Sequence, residues 1–522
     1  MNRRNFVLSG AAIALTACAD GLALSPLTST AVAPANLVPQ SPSVAPNYWC
    51  TWAVQNYMYG HDLRELHPEM LEGDSGSRLA HDAMNEKVLL GPDGWAKTFF
   101  PRVRGDLYLM LDDGWESGGT STFELDAAKF PSFAGSPEKR LAGLNKAIQE
   151  QNWRGAALWC RNTPGGAQDE RLEMLSQQAG VYYWKIDIGD PEFHLVDMRR
   201  SNHARLQFEH VHGEAPLNGD WRRDGRFGQQ PWDSRRQQIL ANTDVYRTYD
   251  VTSILSLPTT LDRLAEMLKG AQGHAEVHAL LNVEDEVYVA AAMGCTMGVM
   301  RHPLVGLRPG SDMDLFFNGP RQTKRRMDEV VRALHWQRIA PPFSAGTGSI
   351  HVSDEVLTDS WSFERGQNWE SDLTGNTVHQ GAPAAIVRNL SLPRVIAVGE
   401  KPFVFASRFP NGAVAIGIQE RTRTQQAWYM PSADVELDVK NAPGPFGIFG
   451  SCKSLTLVFD RPLNGKRIVV QDLADNKSFD VTDRVRVYGQ RLQLTEANIK
   501  TFGLRAASKG DLSSPGLVVS LQ

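Results

Sequence analysis

Residues 179–190 read Ala-Gly-Val-Tyr-Tyr-Trp-Lys-Ile-Asp-Ile-Gly-Asp, and this stretch decides how the rest of the chain is read. Val181, Tyr182, Tyr183 and Trp184 are β-branched or aromatic, a composition that suits a covered, pleated strand. Lys185 and Asp187 then interrupt the apolar run. Two residues apart on a strand, they share a face, where an ammonium would keep the carboxylate ionised and aimed. Such a pair is either a nucleophilic aspartate with its cation or a salt bridge that caps a strand.

A second stretch follows the same plan. Residues 107–115, Leu-Tyr-Leu-Met-Leu-Asp-Asp-Gly-Trp, form an apolar strand that ends in Asp112 and Asp113, then a glycine and an indole. An Asp-Gly turn alone is a common signal. Two strands that end in this way point to one rim, because carboxylates beside an aromatic ring suit a sugar, whose hydroxyls need acceptors and whose apolar face needs a plate.

Outward from these stretches, apolar runs alternate with amphipathic ones. Candidate strands fall at 47–52, 106–112, 154–160, 181–187, 204–212, 244–250, 275–283 and 298–305, with helices such as 137–150, whose Leu141, Leu144 and Ile148 share a face. This alternation predicts a (β/α)8 TIM barrel over residues 47–345, with insertions that lengthen it beyond the usual ~250 residues. Residues 321–340 read as a helix and 346–395 as an irregular connecting segment. Over 396–522 short strands broken by Asn-Gly-type turns predict an antiparallel β-sandwich domain.

The four motif segments resemble glycoside hydrolase clan D, families 27 and 36, the α-galactosidases and raffinose synthase-like enzymes. Leu-Asp-Asp-Gly-Trp (111–115) and Lys-Ile-Asp (185–187) carry the resemblance, with Trp-Cys-Thr-Trp (49–52) on the first strand and Arg-Thr-Tyr-Asp (247–250) after the sixth. The resemblance implies a retaining, exo-acting, α-galactosidase-like hydrolase in which Asp187 is the nucleophile and Asp250 the acid/base. It also implies that Asp112 and Asp113 accept bonds from sugar hydroxyls, that Trp52 and Trp115 line the pocket, and that Arg247 binds a hydroxyl opposite them. Lys185 would hold Asp187 ionised. On the fifth strand Glu209 is the expected hydroxyl ligand, although either Gln207, Glu209 and Val211 or Phe208, His210 and His212 could face inward. Arg-Pro-Gly-Ser-Asp (308–312) also has the Arg-x-x-x-Asp spacing, so Asp312 competes with Asp250. Alternatives on the same scaffold are transglycosylation, β-L-arabinopyranosidase or α-N-acetylgalactosaminidase activity, and non-catalytic carbohydrate binding.

The amino terminus predicts export. Arg3-Arg4-Asn5-Phe6 precedes a short apolar run, as in a twin-arginine signal spanning 1–18. Leu15-Thr-Ala-Cys18 resembles a lipobox that would make Cys18 a lipid anchor, the alternative being plain signal cleavage. Residues 19–46, rich in Ala, Pro, Ser and Thr, read as a flexible linker to a periplasmic or envelope location. The formal charge of −5 over 522 residues gives no reason to expect nucleic-acid partners. The expected partner is an oligosaccharide or polysaccharide. Five scattered cysteines without Cys-x-x-Cys or His-Cys spacing predict no metal, and no phosphate-binding loop or other motif calls for a cofactor.

Overall fold

The computed structural model describes residues 35–59, 80–118, 122–161, 169–187, 206–211, 234–248, 255–304, 321–362 and 377–522. The signal stretch, Cys18, Asp250 and Asp312 lie outside the described residues. Among those described, no helix is long and apolar enough to cross a membrane.

Eight strands form one all-parallel sheet: β1 (Tyr48–Cys50), β2 (Tyr108–Leu111), β3 (Ala156–Arg161), β4 (Tyr183–Asp187), β5 (Gln207–Val211), β6 (Val245–Arg247), β7 (Leu280–Asn282) and β8 (Gly298–Val299). Their spatial order is β7-β6-β5-β4-β3-β2-β1-β8, and an isolated parallel bridge from Asn282 to Thr296 brings the two ends together. The result is a nearly closed barrel. Each expected strand is present, but most are shorter than expected. Trp52 starts the helix Trp52–Tyr59 and so leaves β1. The 298–305 run stops pairing at Val299 because the backbone N–H groups of Met300 and Arg301 donate to Asp285 Oδ1, at 2.9 and 3.1 Å, instead of to a neighbouring strand.

Period-two alternation sorts the side chains into two layers. Tyr48, Cys50, Tyr108, Met110, Ala157, Trp159, Tyr183 and Val245 form one cluster within the barrel. The residues between them, including Trp49, Leu109, Leu158, Trp184, Ile186, Phe208 and Tyr246, belong to the core under the helices. Trp184 Nε1 donates to Ser176 Oγ of the helix Asp169–Ala179 at 2.9 Å. Gly298 allows the barrel to close, since a Cβ there would stand 2.5 Å from the Tyr48 hydroxyl. The helix expected at 137–150 runs Pro137–Gln149, with proline in its first turn and Leu141, Leu144 and Ile148 buried.

After the barrel, the helix Met327–Ile339 lies between it and the C-terminal sheets. Its Trp336 is fully buried against Phe409 and Phe449, with ring centroids 5.8 and 6.0 Å away. Arg332 Nε donates to Asp472 Oδ1 at 2.9 Å. An eight-stranded sheet runs, in spatial order, Phe479–Asp480, Ile468–Asp472, Gly516–Leu521, Phe446–Gly450, Val414–Gln419, Phe403–Arg408, Ala385–Arg388 and Ile350–Val352. A five-stranded sheet, Arg394–Ala397, Ala433–Asp438, Ser454–Val458, Arg491–Thr495 and Arg486–Tyr488, shares an apolar core with it.

Two differences from the sequence reading concern the edges of this region. The stretch 346–395, read as irregular, supplies Ile350–Val352 and Ala385–Arg388 to the large sheet and the hairpin Val356–Ser362 with Thr377–Pro383. Its hairpin strands, Val-Leu-Thr-Asp-Ser-Trp-Ser and Thr-Val-His-Gln-Gly-Ala-Pro, are seven residues long but rich in polar residues, so an apolar period did not mark them. Most pairings are antiparallel, but Ala385–Arg388 with Phe403–Arg408, Val414–Gln419 with Phe446–Gly450, and Ala433–Asp438 with Ser454–Val458 are parallel. At the other end, residues 35–46, read as part of a flexible linker, are bound to the protein. Leu37 N donates to Gln471 Oε1 (2.6 Å), Ser43 N donates to Asp106 Oδ1 (2.7 Å), and Val38 is buried.

Candidate active site

The inward faces of β4, β6 and β7 and the segments after β2 and β7 bring the charged side chains to the carboxyl end of the barrel. Lys185, inward on β4, is buried and donates to Asp112 Oδ2 at 2.6 Å. The lysine therefore bonds Asp112, not Asp187 as the sequence reading expected. Strand registration explains this: β4 sits two strands from β2 across β3, Lys185 is level with Trp159, and Leu158 is level with Leu111, so Lys185 and Asp112 stand at the same height in the interior, whereas Asp187 lies one inward layer higher. Cys50 Sγ donates to the same Asp112 oxygen at 3.0 Å, and Asp113 N donates to Oδ1 at 3.0 Å. Burial works against the Asp112 charge, but Lys185 and these donors bring its carboxyl below the usual value. Burial and Arg247 oppose the Lys185 charge too, yet Asp112 and other nearby acids raise it above an ordinary lysine.

Asp187 ends β4 at the rim. Trp159 Nε1 donates to its Oδ2 at 3.0 Å, and Arg247 Nη2 stands 3.7 Å from the same oxygen. Its side chain remains 22% exposed, against 5% for Asp112 and none for Glu209 and Glu284. Asp187 is therefore a carboxylate that a ligand can reach and a cation backs.

Glu209 faces inward but lies too deep to meet a ligand. It is fully buried and accepts bonds from Tyr48 OH (2.8 Å), Tyr183 OH (2.6 Å) and Asn282 Nδ2 (2.9 Å). The expected hydroxyl ligand is instead the centre of a buried network, because β5 places it one layer below Asp187. Burial and the Glu209 charge together push both tyrosine hydroxyls well above their ordinary values. Those hydroxyls stay protonated and donate.

Arg247, the last residue of β6, is buried beside three carboxylates. It pairs with Glu284 through Nη1, faces Asp187, and has Nε 4.0 Å from Glu209 Oε1. This placement differs from the role of a free hydroxyl ligand. Trp115, expected in the sugar pocket, has no exposed surface; its indole donates to the Trp159 carbonyl at 2.9 Å, and it packs in the outer core. The chain turns at Gly114, with φ of +112°, where a Cβ would collide with the His81 carbonyl. Trp52 is partly exposed and packs against the barrel's inner cluster. Asp113 stays at the rim with 28% of its side chain exposed and faces His81 Nε2 at 3.8 Å. Burial and the Asp112 charge, opposed by His81, raise its carboxyl above the usual range.

The sequence reading overlooked Glu284, Asn282, Trp159, Tyr48 and Tyr183. One signal was available, since Leu280-Leu-Asn-Val-Glu-Asp-Glu286 is a third apolar strand that ends in acids. The inward tyrosines and Trp159 have no such signature, because an aromatic residue on a strand reads the same whether it fills a core or holds a carboxylate. Chemically, the rim offers acceptors over two buried cations, an arrangement for hydroxyl-rich or electrophilic ligands. Among the described residues no group of three or more His, Cys, Asp or Glu side chains could hold a metal ion. Cys50, Cys160, Cys295 and Cys452 are buried free thiols. No protein-family model matches the chain, and comparison with curated proteins yields no match.

Proposed function

We propose that this protein is a retaining glycosidase of the α-galactosidase-like kind, built on a (β/α)8 barrel similar to those of clan D, and acting outside the cytoplasm. The observation that supports this reading is Asp187, partly exposed at the barrel rim, held by the Trp159 indole N–H and faced by the Arg247 guanidinium. A carboxylate so held keeps its lone pairs aimed. In the proposed reaction a carboxylate oxygen of Asp187 attacks the anomeric carbon while the bond to the leaving oxygen breaks. Asp250 gives that oxygen its proton. Water, deprotonated by Asp250, then attacks the glycosyl ester, releases the sugar and restores both acids. Asp113 at the rim would accept a bond from a sugar hydroxyl, with Asp112 behind it fixed by Lys185.

The test is a screen of the purified protein against nitrophenyl α- and β-glycosides, followed by two variants. Asp187→Gly should lower hydrolysis by several orders of magnitude, and external azide should restore turnover with inverted anomeric configuration. Asp250→Ala should spare dinitrophenyl glycosides far more than natural substrates, because acid help of about 10²–10⁴-fold matters least where the leaving group needs no proton. Inactivity on every galactose- and arabinose-configured substrate would remove the specificity claim. An active Asp187→Gly without azide would remove the mechanism.

A further inference from the structure

The consecutive acids Glu284, Asp285 and Glu286, directly after β7, each engage a different arginine. Glu284 is fully buried and pairs with Arg247. Asp285 holds Arg301 through Nε at 2.7 Å, and Arg301 Nη1 reaches Glu329 of the Met327–Ile339 helix at 2.9 Å. Glu286 takes Arg321 Nη1 on both carboxylate oxygens at 2.6 Å, and also bonds the Ser256 hydroxyl. Arg321 Nε lies 3.4 Å from Glu420, which also pairs with Arg326 and follows the Val414–Gln419 strand of the C-terminal sheet. Two sets of buried ion pairs, one reaching the C-terminal region and one at the carboxyl end of the barrel, are thus joined through the backbone of residues 284–286.

The backbone at this junction is held in an unusual conformation. Glu284 has φ of +51°, a region that residues with a side chain seldom occupy and that persists only where the surroundings enforce it. The enforcing contacts are visible. Glu284 N donates to Asn282 Oδ1 at 2.8 Å, and Asp285 and Glu286 are fixed on either side by Arg301 and Arg321. Burying so many charges costs more than an apolar seam of the same size, which favours a role beyond holding the two regions together.

We infer that the run 284–286 is a positioning clamp: it sets where Arg247 stands against Asp187, and it is anchored on the C-terminal region through Arg321 and Glu420. The inference goes beyond the glycosidase reading but rests on it for the activity readout. If Arg247 moves away from Asp187, the carboxylate loses the guanidinium that faces it at 3.7 Å and helps to fix its aim.

The remote anchors test this, because neither contacts Asp187 in the structure. Glu286→Gln and Glu420→Gln should each lower kcat/KM tenfold or more, mostly through kcat. Arg321→Lys, which keeps the charge should the neutral variants fail to fold, should show the same loss of kcat in smaller degree. A merely structural contact would lower the melting temperature and leave kcat per folded molecule where it was. Crystal structures of the same variants provide a readout that needs no activity: Arg247 Nη2 should stand farther than 3.7 Å from Asp187 Oδ2. A wild-type kcat together with an unchanged distance in a folded variant would overturn the clamp. Absence of any glycosidase activity in the wild type would remove the proposed function, and the crystallographic distance would still decide the clamp.

Discussion

The barrel and the large C-terminal sheet each have eight strands, yet their interiors differ in kind. The core between the C-terminal sheets is built from residues such as Val404, Ile416, Val435, Leu437, Leu455, Leu457, Ile468 and Leu494, all apolar. The barrel interior places Asp112, Lys185, Glu209, Arg247 and Asn282 among its tyrosines and methionines, every one of them buried. A buried charge or amide costs stability unless it is paired, and an apolar residue of the same volume would usually serve the fold as well or better. The difference therefore separates a region built for packing from one whose paired buried charges the proposed chemistry would account for. Substitution experiments can break that contrast or sharpen it.

The largest effect should come from Lys185→Met. It leaves Asp112 buried without its cation, and loss of one partner of a buried pair costs roughly 3–5 kcal/mol. Urea denaturation should register the loss, and activity should fall with it. Pairing Lys185→Met with Asp112→Leu should recover most of the stability and none of the activity. A double variant that stays as unstable as the single one would show that the charges serve the fold after all.

In the C-terminal core, Leu457→Ala should cost about 2–5 kcal/mol through lost burial and the cavity left behind. Here kcat per folded molecule should not change, since Leu457 touches no part of the site and lies on the five-stranded sheet away from Glu420. Glu209→Gln should cost less, roughly 1–3 kcal/mol, because its new N–H group would face the hydroxyls and amide that now donate to the carboxylate. Near-ultraviolet circular dichroism of Tyr48 and Tyr183 should change with it.

These comparisons show which features the sequence carried openly. The eight strands and their parallel order were legible because alternation has one physical cause: Trp184 and Ile186 must face the helices if Tyr183, Lys185 and Asp187 face the interior. The rim positions of Asp112, Asp113, Asp187 and Arg247 followed from strand ends. Partner choice did not follow, because Lys185 bonds Asp112 across the intervening strand β3, at the same height in the barrel, and not its sequence neighbour Asp187. Depth was equally hidden. Glu209 and Trp115 have the right residue types for a sugar site, but one layer of barrel stagger and one turn at Gly114 bury them. The acidic run 284–286 was visible as charge, whereas its meaning depends on arginines that come from distant segments.

The smallest predicted effect is acid sensitivity at the seam between the two regions, on the order of 1–2 kcal/mol once partial solvent access is allowed for. His335, on the helix between them, is pushed from its ordinary 6.5 to about 4, chiefly by burial and further by Arg338 and Arg102, although its bond to the Leu473 carbonyl opposes the shift. Between those values the unfolded chain binds a proton that the folded one refuses. Stability from this group is therefore complete above about pH 6.5 and declines as pH falls toward about 4. Burial works to raise Glu420, but Arg326 and Arg321 hold it down from 4.5 to about 2. Its contribution is present above pH 4.5 and is lost as pH falls through about 2. Melting temperature measured against pH should thus decline in two steps, and His335→Gln should abolish the upper one while leaving the lower. Because the two groups flank the seam, the loss should appear first as faster amide exchange in the Met327–Ile339 helix, before the β-sheet core between Leu455 and Leu494 responds. A flat profile between pH 6.5 and 4.5 in the wild type would mean that His335 is reached by water on both faces, and that the seam is as tolerant of charge as the barrel interior.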